Sequence, residues 1–199
     1  MQLELSKENE NQLRSFSEAV IERNKHHNLT GYKDTLAFFD EQIMDCVVAL
    51  VACKNALEKH VVDCGSGAGL PSIVWAILEP EITFYSIDKN FKKIQFQKQI
   101  TEQLGLTNIK MHHTKIENFV LDEPHTVAMK AFGQIKKLAS LKQRENQKNL
   151  ILLKKDNKKT EEELLEAPTL LYDYKKHQYV LNKEKMVALE LYDNKNSSN

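Results

Sequence analysis

Apolar positions in the first part of the chain recur at intervals of three and four. Leu13, Phe16, Ala19 and Val20 fall on one face of a helix predicted over Lys7–Lys25, which Asn28-Leu29-Thr30-Gly31 ends. A second helix is predicted from Thr35 to Leu57, with Leu36, Phe39, Ile43, Val47, Leu50 and Val51 facing inward. From His60 the pattern changes. Short apolar runs at His60–Cys64, Ile82–Ile87, Ile109–His113, Thr126–Lys130 and Asn149–Lys154 read as strands. Helical patterns at Leu70–Leu78, Phe91–Leu104 and Phe132–Arg144 separate them. Such alternation predicts an α/β fold, a parallel sheet with helices on both faces. Thr169–Tyr174, Gln178–Leu181 and Met186–Tyr192 have strand character without a crossover helix, and predict an antiparallel hairpin closing the sheet edge. The expected organisation is an N-terminal helical extension (1–58), a core (59–193) and a polar tail (194–199) in one compact unit.

Composition narrows the class. No apolar run approaches the ~18 residues that span a membrane. The polar, acidic stretch Met1–Gln12 has no secretory pattern. Cys46, Cys53 and Cys64 form no Cys-x-x-Cys pair, which argues against a disulfide framework or zinc site and for a reducing, cytoplasmic setting. His26-His27 and His112-His113 lack partners at ligand spacing, so no metal centre is expected. The 28 basic and 28 acidic residues cancel, yet Lys130 to Lys159 holds ten lysines and arginines against two acids. Lys89, Lys92, Lys93 and Lys98 add a second basic set. Positive charge concentrated near strand ends is the expected footprint of an RNA partner; solvated helix faces are the competing reading.

The most specific chemistry lies in Val62-Asp63-Cys64-Gly65-Ser66-Gly67-Ala68-Gly69-Leu70-Pro71. Gly65, Gly67 and Gly69 follow a strand and precede a helix. This Gly-x-Gly-x-Gly spacing suits S-adenosyl-L-methionine, whereas a dinucleotide pyrophosphate prefers Gly-x-Gly-x-x-Gly. Asp88 lies 23 residues after Gly65, where an acid grips ribose hydroxyls; a helix cap before Phe91 is the alternative. Ile116-Glu117 follows the third strand, where such folds hold adenine; a plain loop glutamate is the equal alternative. Lys130 ends the fourth strand beside the transfer site of such folds, placed to contact a phosphate, the target base or the methionine carboxylate; a solvated strand-end lysine is the competing reading and, taken alone, the stronger one. No phosphate-binding Gly-Lys-Ser/Thr loop, Ser-His-Asp set or pair of catalytic carboxylates is present.

An ordered set of motifs resembles the bacterial small-subunit ribosomal RNA guanine-N7 methyltransferases, also called glucose-inhibited division protein B. It comprises Asn28-Leu29-Thr30, Ile43-Met44-Asp45-Cys46, Val62 to Pro71, Lys92-Lys93 with Phe96, Leu104 to Ile109, Lys115-Ile116-Glu117 and Lys130-Ala131-Phe132. The resemblance implies a class I, Rossmann-like methyltransferase fold with S-adenosyl-L-methionine as cofactor. It implies methyl transfer to N7 of a guanine in the 530 loop of 16S rRNA, on RNA or the small ribosomal subunit. No dimer stripe is evident in the sequence, and a monomer is expected. Cofactor contacts carry over to Gly65, Leu70, Ile116, Glu117 and Lys130. Lys130, with Lys154, is expected to position substrate, and Asn28 and Thr30 to close over the methionine end. The chain has Ser72, Lys130 and Cys46 where the family has Gly, Arg and Ser, and a lysine does not reproduce the planar fork of an arginine. A small-molecule methyltransferase on the same fold, or a paralogue that binds RNA without turnover, is the alternative reading.

Overall fold

A computed structural model describes residues 5–130, 135, 146–166 and 173–192. Its centre is a seven-stranded sheet in the order β3-β2-β1-β4-β5-β7-β6. The strands are β1 (His60–Cys64), β2 (Thr83–Asp88), β3 (Ile109–His113), β4 (His125–Lys130), β5 (Gln147–Lys155), β6 (Asp173–Leu181) and β7 (Glu184–Tyr192). The first five are parallel, whereas β7 runs antiparallel to both β5 and β6. The expected hairpin at the edge is therefore present. It is built from two nine-residue strands rather than three short ones. Lys175-Lys176-His177 interrupts the apolar pattern without interrupting the ladder, because an edge strand tolerates charge on its open side. Residues 169–172 of the predicted first strand lie outside the described residues.

Adjacent residues along the strands face opposite sides of the sheet. Val61, Phe84, Ile151 and Ala188 enter one apolar cluster; Val62, Tyr85, Leu150 and Leu189 enter another. The first cluster is covered by α1 (Lys7–Asn24), α3 (Met44–Cys53), α4 (Ser72–Leu78) and α5 (Phe91–Gln103). Leu13, Phe16 and Val20 of α1 are wholly buried there beside Ile73 and Trp75 of α4. The second cluster takes Leu164 of α6 (Lys158–Glu166), a helix the sequence pattern did not reveal. The predicted helix Phe132–Arg144 falls, apart from Ile135, outside the described residues.

Side-chain caps start the helices where chain direction changes. Ser6 caps α1, Asp34 caps the short α2 (Thr35–Phe38), and Asn90 caps α5 by accepting from Lys92 and Lys93 N–H. Between α2 and α3 the chain makes a π-helical turn, Phe39–Ile43. The extra residue in that turn rotates upstream positions relative to downstream ones. Leu36, expected on the inner face, is consequently 64 % exposed, whereas Ile43 and Val47 are buried as expected. The predicted helix also stops at Cys53 and gives way to a single 3-10 turn, Lys54–Ala56.

Candidate active site

The carboxyl ends of the parallel strands bring most of the sequence-selected residues to one edge of the sheet, where ligands of open α/β folds bind. β1 runs into the glycine loop, β2 ends at Asp88, β3 is followed by the turn Ile116–Asn118, and β4 and β5 end at Lys130 and Lys155. The loop is pinned from several directions. Gly65 and Ser66 N–H both donate to the Ile87 carbonyl, at 2.8 and 3.1 Å. Buried Gln97 of α5 donates to Ser66 Oγ and to the Gly67 carbonyl, both at 2.9 Å, while its Oε1 accepts from Ser86 Oγ. Gly65, Gly67 and Gly69 all have positive φ, at 74°, 62° and 104°. A Cβ on Gly65 would meet nothing within 4 Å, whereas one on Gly69 would lie 2.3 Å from Ile73 Cδ1. Gly65 thus keeps an open face for a ligand, and Gly69 allows α4 to pack against the loop.

Asp88 is buried, and it does not cap α5; Asn90 does. Instead its Oδ2 accepts Gly67 N–H at 2.9 Å and its Oδ1 accepts Asn90 N–H at 2.8 Å. Each oxygen retains a second lone pair. Ile116 and Glu117 lie in the 3-10 turn after β3, Ile116 packed against the second apolar cluster and Glu117 exposed. Asp63, at the end of β1, is wholly enclosed. Its Oδ2 accepts Ser72 N–H at 3.1 Å, and burial pushes its pKa up to about 7, with a smaller push from Asp88.

Lys130 is neither solvated nor aimed freely at the edge. Its Nζ donates to Asp45 Oδ2 at 2.5 Å, and Tyr179 Oη donates to Asp45 Oδ1 at 2.7 Å. Burial opposes the charge on Lys130, but the neighbouring Cys46 sulfur and Asp45 carboxylate outweigh it and hold the ammonium pKa above the ordinary value. A cavity of about 750 Å³ opens beside this group, bounded by Tyr32, Lys130, Lys154, Glu163 and the β6–β7 turn. Lys154, also on its wall, is 2.7 Å from Glu163. Asn28 is exposed, lines no part of this cavity, and makes no side-chain hydrogen bond with a described residue. Thr30 uses its hydroxyl in its own turn, accepting from Tyr32 N–H.

The basic segment is less open than its sequence implies. Lys130, Lys154, Lys155 and Lys158 pair with Asp45, Glu163, Glu184 and Glu162, all outside or beyond the run that was counted. Lys136, Lys137, Lys142 and Arg144 lie outside the described residues. Lys89, Lys92 and Lys98 are exposed near the glycine loop side of the sheet. Among the described residues no cluster of histidine, cysteine, aspartate or glutamate could hold a metal ion, and no helix is long and apolar enough to cross a membrane. All three cysteines are buried, and none is in a disulfide among the described residues.

Sequence reasoning missed Asp45, Asp63, Gln97 and Tyr179 as parts of this arrangement. One signal was available: Asp45 is the lone charged residue in the apolar decapeptide Met44–Cys53, and a carboxylate placed there must find buried partners. Tyr179 carried none, because its partner is 134 residues away.

Solved structures share this architecture. A SAM-dependent methyltransferase from Aquifex aeolicus superposes with a TM-score of 0.54 at 16% identity, covering 78% of this chain and 93% of that one. TrmK from M. capricolum, in complex with S-adenosyl-homocysteine, gives 0.52 at 18%, covering 68% and 62%. At these identities the likeness shows the fold, a class I, Rossmann-like methyltransferase fold. Sequence relatives are nearer. The ribosomal RNA small subunit methyltransferase G of Shewanella woodyi is 35% identical over 139 residues, 68% of this chain and 65% of that protein. Its counterpart in Brachyspira hyodysenteriae is 33% identical over 168 residues, 83% and 80%. The matched region spans just under two thirds of the Shewanella woodyi and Marinobacter nauticus proteins, at 65% and 64%. The model of the family described as rRNA small subunit methyltransferase G matches residues 9–190, from α1 through β7, and the chain belongs to that family.

Proposed function

We propose that the protein transfers a methyl group from S-adenosyl-L-methionine to N7 of a guanine in the 530 loop of 16S rRNA, presented as RNA or within the small ribosomal subunit. The carrying observation is the family match across residues 9–190. The site accommodates the cofactor: the loop offers an open Gly65 face, and buried Asp88 stands beside it with unused lone pairs. Gly65, Gly67, Gly69 and Leu70 would then line the cofactor, Asp88 would accept from ribose hydroxyls, and Ile116 and Glu117 would hold adenine by an apolar face and a backbone edge.

When bound, the cofactor supplies an activated methyl group on a sulfonium. Guanine N7 already carries a lone pair, so no base is required and the protein's task is alignment. Lys130, at the end of the strand adjoining β1, would donate to guanine O6, Lys154 would support it from the cavity wall, and Asn28 would touch the methionine side. The cavity carries lysines and carboxylates rather than an apolar lid, which favours a nucleotide over a small apolar substrate. We take the protein to act as a monomer in the cytoplasm beside its RNA.

The test is transfer of labelled methyl from S-adenosyl-L-methionine to small-subunit particles lacking the modification, followed by mapping of the modified base. Label at N7 of a 530-loop guanine is the expected result. No label, with cofactor binding intact by calorimetry, would replace this reading with an RNA-binding paralogue without turnover.

A further inference from the structure

Asp45 splits its carboxylate between two elements. Oδ2 takes the ammonium of Lys130 from the end of β4, and Oδ1 takes the hydroxyl of Tyr179 from β6. The ion pair is mostly buried, with side-chain exposures of 12% for Lys130, which reaches the cavity, and 3% for Asp45. We propose that Asp45 and Tyr179 are positioning residues for Lys130, and that Tyr179 occupies the carboxylate oxygen which a forked arginine would claim in its place. This inference rests on the reading that Lys130 contacts the substrate base.

The chemistry of the three groups supports the division of labour. A guanidinium binds a carboxylate through two parallel N–H bonds, using both oxygens and fixing its own plane. An ammonium is a point donor and uses one, so an unassisted lysine would leave Oδ1 buried and unsatisfied and would swing about a single bond. Tyr179 removes both defects. It satisfies Oδ1, and by fixing the carboxylate plane it fixes Oδ2 and the ammonium on it. Of the three N–H donors on Lys130, one is used by Asp45 among the described residues, and two remain for the cavity that Lys130 lines.

Charge gives Asp45 a second role. Methyl transfer moves positive charge from sulfur onto the purine ring. A bare ammonium at O6 would oppose that transfer, whereas a lysine paired with a carboxylate donates a hydrogen bond with no net charge. Asp45 is the one acid within hydrogen-bond reach of Lys130 among the described residues. Its removal should therefore depress turnover more than substrate binding.

Four variants test this: Asp45→Asn, Tyr179→Phe, Lys130→Arg, and Tyr179→Phe combined with Lys130→Arg. Tyr179→Phe is expected to lower kcat by about 100-fold, the scale of a misplaced positioning group, with KM for the particle and the calorimetric affinity for S-adenosyl-homocysteine little changed. Lys130→Arg alone should also be impaired, since Tyr179 blocks the second oxygen. The double variant should recover most of the lost kcat, because the fork then has both oxygens. Additive losses in the double variant, or equal losses in kcat and cofactor affinity, would overturn the proposal and leave Tyr179 a packing residue. A readout without turnover separates this from failure of the functional reading. The Lys130 ammonium should give an exchange-protected NMR signal in the wild-type protein that is lost in Asp45→Asn and broadened in Tyr179→Phe. A signal absent from the wild type, or unaltered in both variants, would sink the positioning role even if methyl transfer is found; a signal that behaves as expected would sustain it even if transfer is not.

Discussion

Asp63 carries an ionisable group into the most enclosed part of the sheet edge. Its carboxyl is raised to about 7 by burial, and Oδ1 has no hydrogen-bond partner among the described residues. A carboxyl whose folded pKa exceeds its unfolded value holds its proton more tightly when folded. Stability is therefore fullest below the unfolded pKa of about 4, falls as pH rises toward 7, and levels off above. Asp63→Asn keeps an oxygen to accept Ser72 N–H while removing the titration. It should stabilise the protein at pH 8 by roughly 3–4 kcal/mol and by almost nothing at pH 4, at about 1.4 kcal/mol per pKa unit. Thermal melts across that range decide it, and parallel profiles for the two proteins would refute it. The glycines divide in a comparable way. Gly69→Ala meets both a φ of 104° and Ile73, and should cost about 1–3 kcal/mol of stability or more. In Gly65→Ala the new methyl meets open space, so the φ of 74° is its main penalty, and affinity for S-adenosyl-homocysteine should suffer more than the melting temperature. If Gly65→Ala melted as low as Gly69→Ala with unchanged affinity, the open face would not be the ligand face.

The loop owes its shape to a helix as much as to its glycines. Gln97, on the buried face of α5, holds Ser66 and the Gly67 carbonyl from one end and receives Ser86 from the other. Gln97→Leu preserves bulk but orphans those groups, each costing about 1–3 kcal/mol when buried. The expected result is a lower melting temperature together with at least a tenfold weaker calorimetric affinity for S-adenosyl-homocysteine; unchanged affinity would show that the loop holds its form without α5. This bracing was not legible in the sequence, where Gln97 is one polar residue in a mixed helix. The five parallel strands were legible, because pairs such as Val61-Val62 and Leu150-Ile151 are buried on both faces and leave uninterrupted apolar runs. The edge hairpin was read in fragments, since Lys175, Lys176 and His177 break the apolar run, His177 being partly buried against Glu190 by a pairing the sequence does not show. α6 escaped because its nine residues offer only Leu164 and Leu165 against a charged background, and Leu165 is 82 % exposed. The glycine loop and the strand-end residues selected by spacing lie at one edge of the sheet. The partners of Lys130 were not legible, since Asp45 and Tyr179 meet it only where α3 packs on the sheet against β6.

That packing bears on whether the helical extension is a separate body. Residues 1–58 read in sequence as a helical extension within one compact unit, and Leu13, Phe16 and Val20 of α1 share one apolar cluster with Ile73 and Trp75 of α4 and Phe84 of β2. Polar ties cross the same boundary: Gln12 Nε2 donates to the Leu104 carbonyl at 2.9 Å, and Trp75 Nε1 donates to the Cys46 carbonyl at 2.8 Å. The glycine loop lies at the head of α4, so the extension supports that loop through the back of the helix. We expect extension and core to unfold together. Trp75, the single tryptophan in the chain and wholly buried, sits at the junction and reports on it by fluorescence, while circular dichroism reports on all the helices. The two probes should give coincident thermal transitions. Phe16→Ala, a cavity at a fully buried position of α1, should cost about 3–4 kcal/mol and lower both transitions equally, by about 10 °C. Excess S-adenosyl-homocysteine should raise both by the same amount in the wild type, since a ligand that binds only the folded state stabilises whatever unfolds with its site. If Phe16→Ala instead lowered an early helical transition and left the Trp75 transition and the ligand shift intact, the extension would be a separately melting unit docked on an autonomous core.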